Sequence, residues 1–166
     1  AIGECSCTGL HGGNRLASNS LLEAIVYAEA AAQHSLPLID NINWCDEIPE
    51  WNDEGTTLNE EMVLITQSEK EVNQIMQAYV GIVRSNLRLK RAFDRLELIY
   101  KETESLFQRS VVSKEICELR NIVNTAYLVI KSAMQRKESR GLHYTIDYPK
   151  KNEHISLYDV EELKKL

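Results

Sequence analysis

The sequence lacks several features that would assign it to a broad functional class. It has 19 Lys and Arg residues against 25 Asp and Glu residues, a net charge of −6 at pH 7, which argues against a general nucleic-acid-binding surface. Its apolar runs are too short and too interrupted to span a membrane. No basic stretch followed by an apolar stretch stands at the start, so no secretory signal is expected. No internal repeat of 20 to 50 residues is visible.

Cysteines are also few and show no metal-binding spacing. The four are Cys5, Cys7, Cys45 and Cys117. One Cys-x-Cys pair with two isolated residues does not match the strong zinc patterns, so no metal site is predicted. We interpret all four as plain reduced thiols.

The apolar periodicity predicts a mainly α fold, with three amphipathic helices between residues 68 and 140. Short joints between them favour an antiparallel three-helix bundle. The first predicted stripe is Val72, Ile75, Met76, Tyr79, Val80 and Val83. The second helix, about 85–109, carries Leu89, Ala92, Phe93, Leu96, Ile99, Tyr100 and Leu106. The third, about 113–138, carries Ile116, Leu119, Val123, Ala126, Ile130 and Ala133.

Local signals predict the ends of these helices. Ser68-Glu-Lys-Glu71 fits a capping box that would start the first helix, and residues 62–65 would form a short extended piece before it. Ser113 is the expected N-cap of the third helix, and Gly141 is placed to end it.

The segment before the bundle divides into a loop with a helix, residues 1–39, and an acidic linker, residues 40–67. The linker contains Trp44 and Trp51, whose large apolar rings favour burial, so part of it should lie against the bundle. Residues 141–166 form a C-terminal tail.

The stretch from Thr8 to Glu23 carries the clearest functional signal. It reads Thr-Gly-Leu-His-Gly-Gly-Asn-Arg-Leu-Ala-Ser-Asn-Ser-Leu-Leu-Glu, a glycine-bearing loop that leads into a predicted helix over 20–34. Ser20-Leu-Leu-Glu23 fits a capping box, and Ser35-Leu-Pro37 should end the helix. The free N–H groups of a helix start and the guanidinium of Arg15 both favour an anionic group. The residues alone therefore predict an anion site at a helix N-terminus.

This stretch, together with Ala1-Ile-Gly-Glu4, resembles the last flavin-binding segment of the succinate dehydrogenase, fumarate reductase and L-aspartate oxidase flavoproteins. Two further strings, Tyr79-Val-Gly-Ile-Val-Arg84 and the tail from Glu138-Ser-Arg-Gly141 to Asp147-Tyr-Pro149, extend the resemblance over nearly the whole chain. The weak part is the linker. The family's N-terminal G-x-G-x-x-G fingerprint is absent, so we expect a C-terminal fragment of such an enzyme.

The resemblance implies FAD as cofactor and a dicarboxylate as substrate. It makes Arg15 a ligand of a substrate carboxylate and Glu4 a ligand of FAD hydroxyls. It places Asn19, Ser20 and Leu21 at the flavin ring, where the helix dipole would stabilise negative charge on the reduced flavin. No catalytic residue is expected in this chain, because the family's arginine base and its substrate histidine belong upstream. The likeness of His143-Tyr-Thr145 to that upstream histidine motif is taken as coincidence.

Within the family, two strings look more like the L-aspartate oxidases: Ala17-Ser-Asn-Ser20 and Glu138-Ser-Arg-Gly-Leu-His-Tyr144. The resemblance then implies a cytoplasmic enzyme of NAD biosynthesis that oxidises L-aspartate to iminoaspartate. Its electron acceptor would be oxygen or fumarate. A fumarate reductase or succinate dehydrogenase flavoprotein is the alternative. A helical interaction module without chemistry is another, although it would not need the loop that contains Arg15.

Several other side chains allow two interpretations of their role. His11 could act as an acid or base, but a role in fixing the loop is favoured. The charged residues Arg84, Arg120, Glu138 and Arg140 could form ion pairs that dock the bundle, or they could be solvated.

Two expectations concern the chain by itself. The apolar helix 20–34 lacks the sheet that it would cover in a complete enzyme, so we expect either self-association through it or disorder of residues 1 to about 20. FAD should bind weakly or not at all.

Overall fold

The computed structural model describes Thr8, Leu10 and residues 17–43, 45, 47–58 and 61–153. It contains the helices α1 (Ala17–Ile39), α2 (Met62–Tyr79), α3 (Asn86–Arg109) and α4 (Lys114–Gln135), with the short strands β1 (Val83–Arg84) and β2 (Tyr144–Thr145). The prediction of a mainly α chain with a three-helix bundle is confirmed. No helix of the described part is both long and apolar enough to cross a membrane.

The chain divides into two compact units, one formed by residues 1–51 with 153–166 and the other by residues 52–152. The second unit contains the bundle of α2, α3 and α4. Phe93 of α3 contacts Tyr127 of α4, while Phe107, further along α3, contacts Arg120, nearer the start of α4. Contacts that run in opposite directions along the two helices make them antiparallel, as the short joint between them requires.

The bundle core consists of the apolar stripes that the periodicity predicts. All six residues predicted for α4 are buried, and so are five of the seven predicted for α3, with Phe93 and Tyr100 partly buried against them. On α2 the stripe is shorter, because Val83 lies in β1 beyond the helix and is 42% exposed.

A serine hydroxyl caps the start of α3 and of α4, but not the start of α2. Ser113 accepts a hydrogen bond from the backbone N–H of Ile116, as expected for the N-cap of α4. Ser85 does the same for α3 by accepting from the N–H of Arg88. The capping box at Ser68 is wrong, because α2 already begins at Met62.

The expected extended piece over residues 62–65 is therefore the first turn of α2. Ile65 is only 4% exposed and belongs to the bundle core. Burial of this side chain explains why the helix continues through it, since packing of an apolar face contributes more to helix stability than a local capping signal.

The predicted role of Gly141 is also wrong. Helix α4 ends at Gln135, and Gly141 lies six residues later with φ at 59°. It forms a tight turn in which the backbone groups of Arg140 and His143 exchange two hydrogen bonds, at 2.9 and 3.1 Å. Glycine adopts this left-handed conformation without steric cost.

The tail returns to the connection between α2 and α3. Strand β2 pairs with β1 in parallel, with Val83 opposite Tyr144 and Arg84 opposite Thr145. Thr57 of the predicted linker is joined to the end of α3. Its N–H donates to the carbonyl of Arg109 and its carbonyl accepts from the N–H of Val111, both at 2.9 Å. The expectation of buried tryptophans is wrong for Trp51, which is 72% exposed. Trp44 lies outside the described residues.

Helix α1 belongs to the first unit and is longer than the 20–34 predicted. It passes through Pro37 to Ile39, so the predicted stop at Ser35-Leu-Pro37 is wrong. Asn41 compensates at this end, because its side chain donates to the carbonyl of Pro37 at 3.2 Å and its N–H donates to the carbonyl of Leu38 at 3.0 Å. A proline so near the C-terminus disrupts little of the helix.

Candidate functional site

The predicted flavin-site residues fall into two groups. Glu4 and Arg15 lie outside the described residues, as do His11, Cys5 and Cys7. Asn19, Ser20 and Leu21 lie together in the first turns of α1.

The start of α1 differs from the predicted capping box. Ser20 is not an N-cap, because the helix already includes Ala17 and the Ser20 hydroxyl donates to the Ala17 carbonyl at 2.8 Å. Glu23 accepts a hydrogen bond from the hydroxyl of Thr8. The hydroxyl of Thr8 in turn accepts from the N–H of Leu10 at 3.4 Å. Glu23 therefore contacts the preceding loop, whereas a capping box would bring it back to the N-cap residue.

The first turn of α1 is suited to an electron-rich group. It contains no acidic side chain, and Asn19 and Leu21 are exposed. The first four N–H groups of any α-helix have no partner inside the helix, and they carry the positive end of the dipole. These properties fit the pyrimidine edge of a flavin, whose N1 and O2 atoms become negative when the ring is reduced.

A second cluster of polar residues lies at the junction of α4 and the tail, and it is centred on Glu138. This carboxylate is fully buried and accepts hydrogen bonds from Nη1 of Arg136 at 3.1 Å, from Nε of Arg140 at 3.0 and 3.1 Å, and from the N–H of Asn152 at 2.9 Å. The hydrogen bond from Arg140 is the largest cause that lowers the pKa of Glu138, and it outweighs the opposing effect of burial. Glu138 therefore stays ionised in the fold.

The neighbouring residue, Ser139, fixes the path of the tail. Its hydroxyl accepts from the N–H of Thr145 at 3.0 Å and lies 2.8 Å from the carbonyl of Tyr148, to which it donates. Its own N–H donates to the carbonyl of Lys150 at 3.1 Å. The Glu-Ser-Arg string of the sequence is thus a structural unit that folds residues 138–152 back on themselves.

Arg84 and His143 form the third polar contact of this region. Nη1 of Arg84 lies 2.8 Å from Nδ1 of His143, and Nε of Arg84 donates to the carbonyl of Val80 at 2.9 Å. Burial lowers the pKa of both side chains, and for His143 the positive charges of Arg84 and Arg136 lower it further. The ring is therefore neutral and accepts the hydrogen bond from the arginine at Nδ1.

Three of the four charged residues considered for ion pairs form them, namely Arg120, Glu138 and Arg140. Glu138 and Arg140 pair with each other, and Arg120 of α4 forms a bidentate pair with Glu104 of α3, with distances of 2.6 and 3.1 Å. Arg84 takes a histidine as partner. The residues missed at the sequence level are Glu104, Arg136, His143 and Asn152. Only His143 had a signal, since it lies two residues after the Glu-Ser-Arg-Gly string.

The bundle also has an open groove of about 440 Å³ where α2 meets α3. Leu64, Ser68, Thr103 and Arg109 are among the residues that line it. Within the described ranges, no group of three or more His, Cys, Asp and Glu side chains could hold a metal ion.

Comparison with curated proteins gives relatives that share much of this sequence. The L-aspartate oxidase of Vibrio cholerae is 46% identical over 149 residues, and that of Pseudomonas aeruginosa is 48% identical over 149 residues. Each match covers 90% of this chain but only 28% of the relative. The chain thus spans little more than a quarter of the length of these proteins.

Solved structures support the fold independently. A Mycobacterium smegmatis Sdh1 complex in the apo form superposes with a TM-score of 0.64 at 24% identity, over 87% of this chain and 26% of the other. At this level of identity the likeness concerns the fold alone. The family model for the fumarate reductase flavoprotein C-terminal region matches residues 69–160, which include most of the bundle and the Glu138 cluster. This chain belongs to the fumarate reductase flavoprotein C-terminal family.

Proposed function

We propose that the chain is the C-terminal part of an FAD-dependent L-aspartate oxidase that converts L-aspartate to iminoaspartate. The observation that carries this proposal is the sequence identity of 46 to 49% with proteins named L-aspartate oxidase over 90% of the chain. A soluble fumarate reductase or succinate dehydrogenase flavoprotein is the second candidate, because the matching family model is that of the fumarate reductase flavoprotein C-terminal region. A cytoplasmic location stays a prediction.

In this proposal the start of α1 holds the flavin. Asn19, Ser20 and Leu21 would hold the pyrimidine edge of the ring, and the carboxylate of Glu4 would accept hydrogen bonds from FAD hydroxyls. FAD, when bound, supplies the acceptor for the hydride that leaves the substrate. The positive end of the α1 dipole favours the reduced, negatively charged form of the ring. Apart from Glu4, this chain supplies only the edge of the site, so FAD retention by the chain alone should be weak.

Arg15 has the substrate role. Its guanidinium can hold one carboxylate with two parallel hydrogen bonds, which orients a dicarboxylate toward the flavin. No group of this chain acts as the base.

The test of this function uses the full-length protein. L-Aspartate is added without oxygen and bleaching of the flavin absorbance is followed, with succinate as the comparison. Replacement Arg15→Leu should raise the dissociation constant for a dicarboxylate about tenfold to a hundredfold, since a charge-assisted hydrogen bond contributes about 1.5–3 kcal/mol. Arg91→Leu, at an exposed site on α3, is the matched control and should behave as the unaltered protein.

The outcomes separate the candidates. Bleaching by aspartate, lost in the Arg15 variant but not in the control, supports both the activity and the residue. Bleaching by succinate alone points to the second candidate. A bound flavin that neither substrate reduces contradicts the proposed substrate class.

We further propose that the 166-residue chain, taken alone, self-associates through α1. None of the described side chains of this helix is buried, and Leu21, Ile25 and Val26 are 60% or more exposed. Apolar patches of this kind usually find a partner. Light scattering should give a mass above one chain, and the double replacement of Leu21 and Ile25 by Ser should reduce it to a monomer. A monomeric unaltered chain would contradict the idea.

A further inference from the structure

Arg84 is one of the points at which the α2–α3 connection and the tail are joined; another is Asn86, whose N–H donates to Oδ2 of Asp147 at 2.6 Å. Its backbone carbonyl accepts a hydrogen bond from the N–H of Ile146 at 3.0 Å, directly after β2. Its guanidinium reaches Nδ1 of His143 at 2.8 Å, just before β2. Arg84 of β1 thus contacts the tail on both sides of β2.

The contact between Arg84 and His143 requires a neutral imidazole. An arginine side chain only donates hydrogen bonds, so Nδ1 must carry a lone pair and the proton must reside on Nε2. If Nδ1 were protonated, two N–H donors and two positive charges would face each other across 2.8 Å. The hydrogen bond therefore cannot survive protonation of the ring.

The surroundings of the ring offer little compensation for a positive charge. Nε2 of His143 is buried and makes no hydrogen bond of normal geometry within the described part of the chain, although the backbone of Arg136 is near enough to favour a charged ring. Arg84 from β1 and Arg136 from the end of α4 both oppose a charged ring, while the carboxylate of Glu138 and the backbone carbonyl of Arg136 favour it. Burial and the two arginines prevail, and the pKa of His143 lies below its usual value near 6.5.

The Glu138 cluster is a second anchor with the opposite dependence on charge. It holds the tail only while the carboxylate is ionised, because it accepts from two guanidinium groups and from the N–H of Asn152. The pKa of Glu138 is lowered from about 4.5, so this anchor persists well below the pH at which a histidine begins to titrate.

We propose that residues 138–152 open in two stages: protonation of His143 breaks the contact with Arg84 and β1, while Glu138 still holds Asn152 beside the end of α4. Mild acid then frees β2 from the α2–α3 connection without unfolding the bundle. Stronger acid, which neutralises Glu138, releases the remainder.

The direction follows from proton linkage. Well above pH 6.5 the His143 ring is neutral in both the open and the closed states, so it does not make the equilibrium between them depend on pH. Below that pH the open state takes up the proton and the closed state does not, so closure weakens as the pH falls toward the lowered pKa. For each unit by which the pKa is lowered in the closed state, the equilibrium constant for closing falls by up to about tenfold in acid.

The test is amide hydrogen exchange of this chain, measured by NMR between pH 7.5 and 5 and expressed as protection relative to an unstructured peptide at each pH. The Ile146 amide, which bonds Arg84, should lose protection below pH 6.5, whereas the Asn152 amide, which bonds Glu138, should keep it. The ring signals of His143 are titrated in the same samples. Loss of Ile146 protection should follow ring protonation.

Two variants make the test specific. His143→Asn places a non-titrating oxygen where Nδ1 lies, so Ile146 protection should no longer depend on pH in this range. His34→Gln removes an exposed histidine of α1 and should leave the pH dependence unchanged. If β2 does not pair with β1 in the His143→Asn variant, Arg84→Met provides the second comparison. Removal of the nearby cation should raise the pKa of the His143 ring.

Three results would overturn the proposal. Ile146 could remain equally protected after the ring has become protonated. Ile146 and Asn152 could lose protection together, which would mean a single opening of the whole tail. The His143 ring could also titrate at the same pH in the unaltered chain and in the Arg84→Met variant.

Discussion

Replacing Glu138 by Gln tests whether the buried carboxylate holds the tail to the bundle. Gln has nearly the same shape, but it loses the negative charge and turns an N–H₂ group toward Arg136 or Arg140. Removing one partner of a fully buried ion pair costs about 3–5 kcal/mol, because the other charge stays without compensation. Here Arg136 and Arg140 are 34% and 25% exposed, so water can solvate them partly. We therefore expect a loss of about 2–4 kcal/mol, below the full buried-pair value.

The measurement is urea unfolding, with tail docking followed in parallel by amide exchange of Asn152. Glu97→Gln is the matched control, because Glu97 pairs with Lys101 on the surface of α3, where the two side chains are 48% and 69% exposed. Such a pair contributes about 0.5 kcal/mol or less. The reasoning fails if Glu138→Gln is no more harmful than Glu97→Gln and Asn152 keeps its protection. A loss of Asn152 protection without a change in the urea midpoint would show that the tail opens separately from the bundle.

Three further predictions concern the bundle and its acid response. Leu96→Ala removes a fully buried side chain of α3 and should cost about 2–5 kcal/mol in urea unfolding, whereas Leu98→Ala, at a site that is 60% exposed, should change little; equal effects would contradict the assigned core. Ser113→Ala removes the N-cap of α4 and should cost about 1 kcal/mol, against a near-neutral Ser105→Ala at an exposed position of α3, with thermal melting as the assay. Because the pKa of Glu138 is lowered, its contribution to stability is present above about pH 4.5 and is lost as the pH falls through its lowered pKa, so an acid titration of unfolding should be flatter for Glu138→Gln than for the unaltered chain.

The sequence was informative where one signal dominated. The 3.6-residue periodicity of α4 predicted all six of its buried apolar residues, since each lies on one face against the same core. Ser113 was predicted as an N-cap because a hydroxyl before an apolar-periodic run has few other roles. The loop and the Glu-Ser-Arg-Gly string indicated the family.

Other features depended on contacts that a sequence pattern does not contain. The first turn of α2 is helical because Ile65 packs in the core, although the capping signal stood at Ser68. Gly141 was assigned to a helix end, but its left-handed φ serves a turn that exists only because the tail folds back on Arg84. The candidate flavin site stays a prediction from a motif, whereas no sequence pattern indicated the pairing of Arg84 with His143, 59 residues apart.

The parallel pairing of β1 with β2 has a consequence for the order of folding. Parallel strands need a crossover between them, and here that crossover consists of α3 and α4. Contacts within and between adjacent helices close short loops, but the Arg84–His143 contact closes one of 59 residues, with a larger entropic cost. The helical hairpin should therefore assemble first and bring β2 beside β1 last. Formation of this small sheet would be a kinetic marker that the chain from residue 83 to residue 146 has completed its fold.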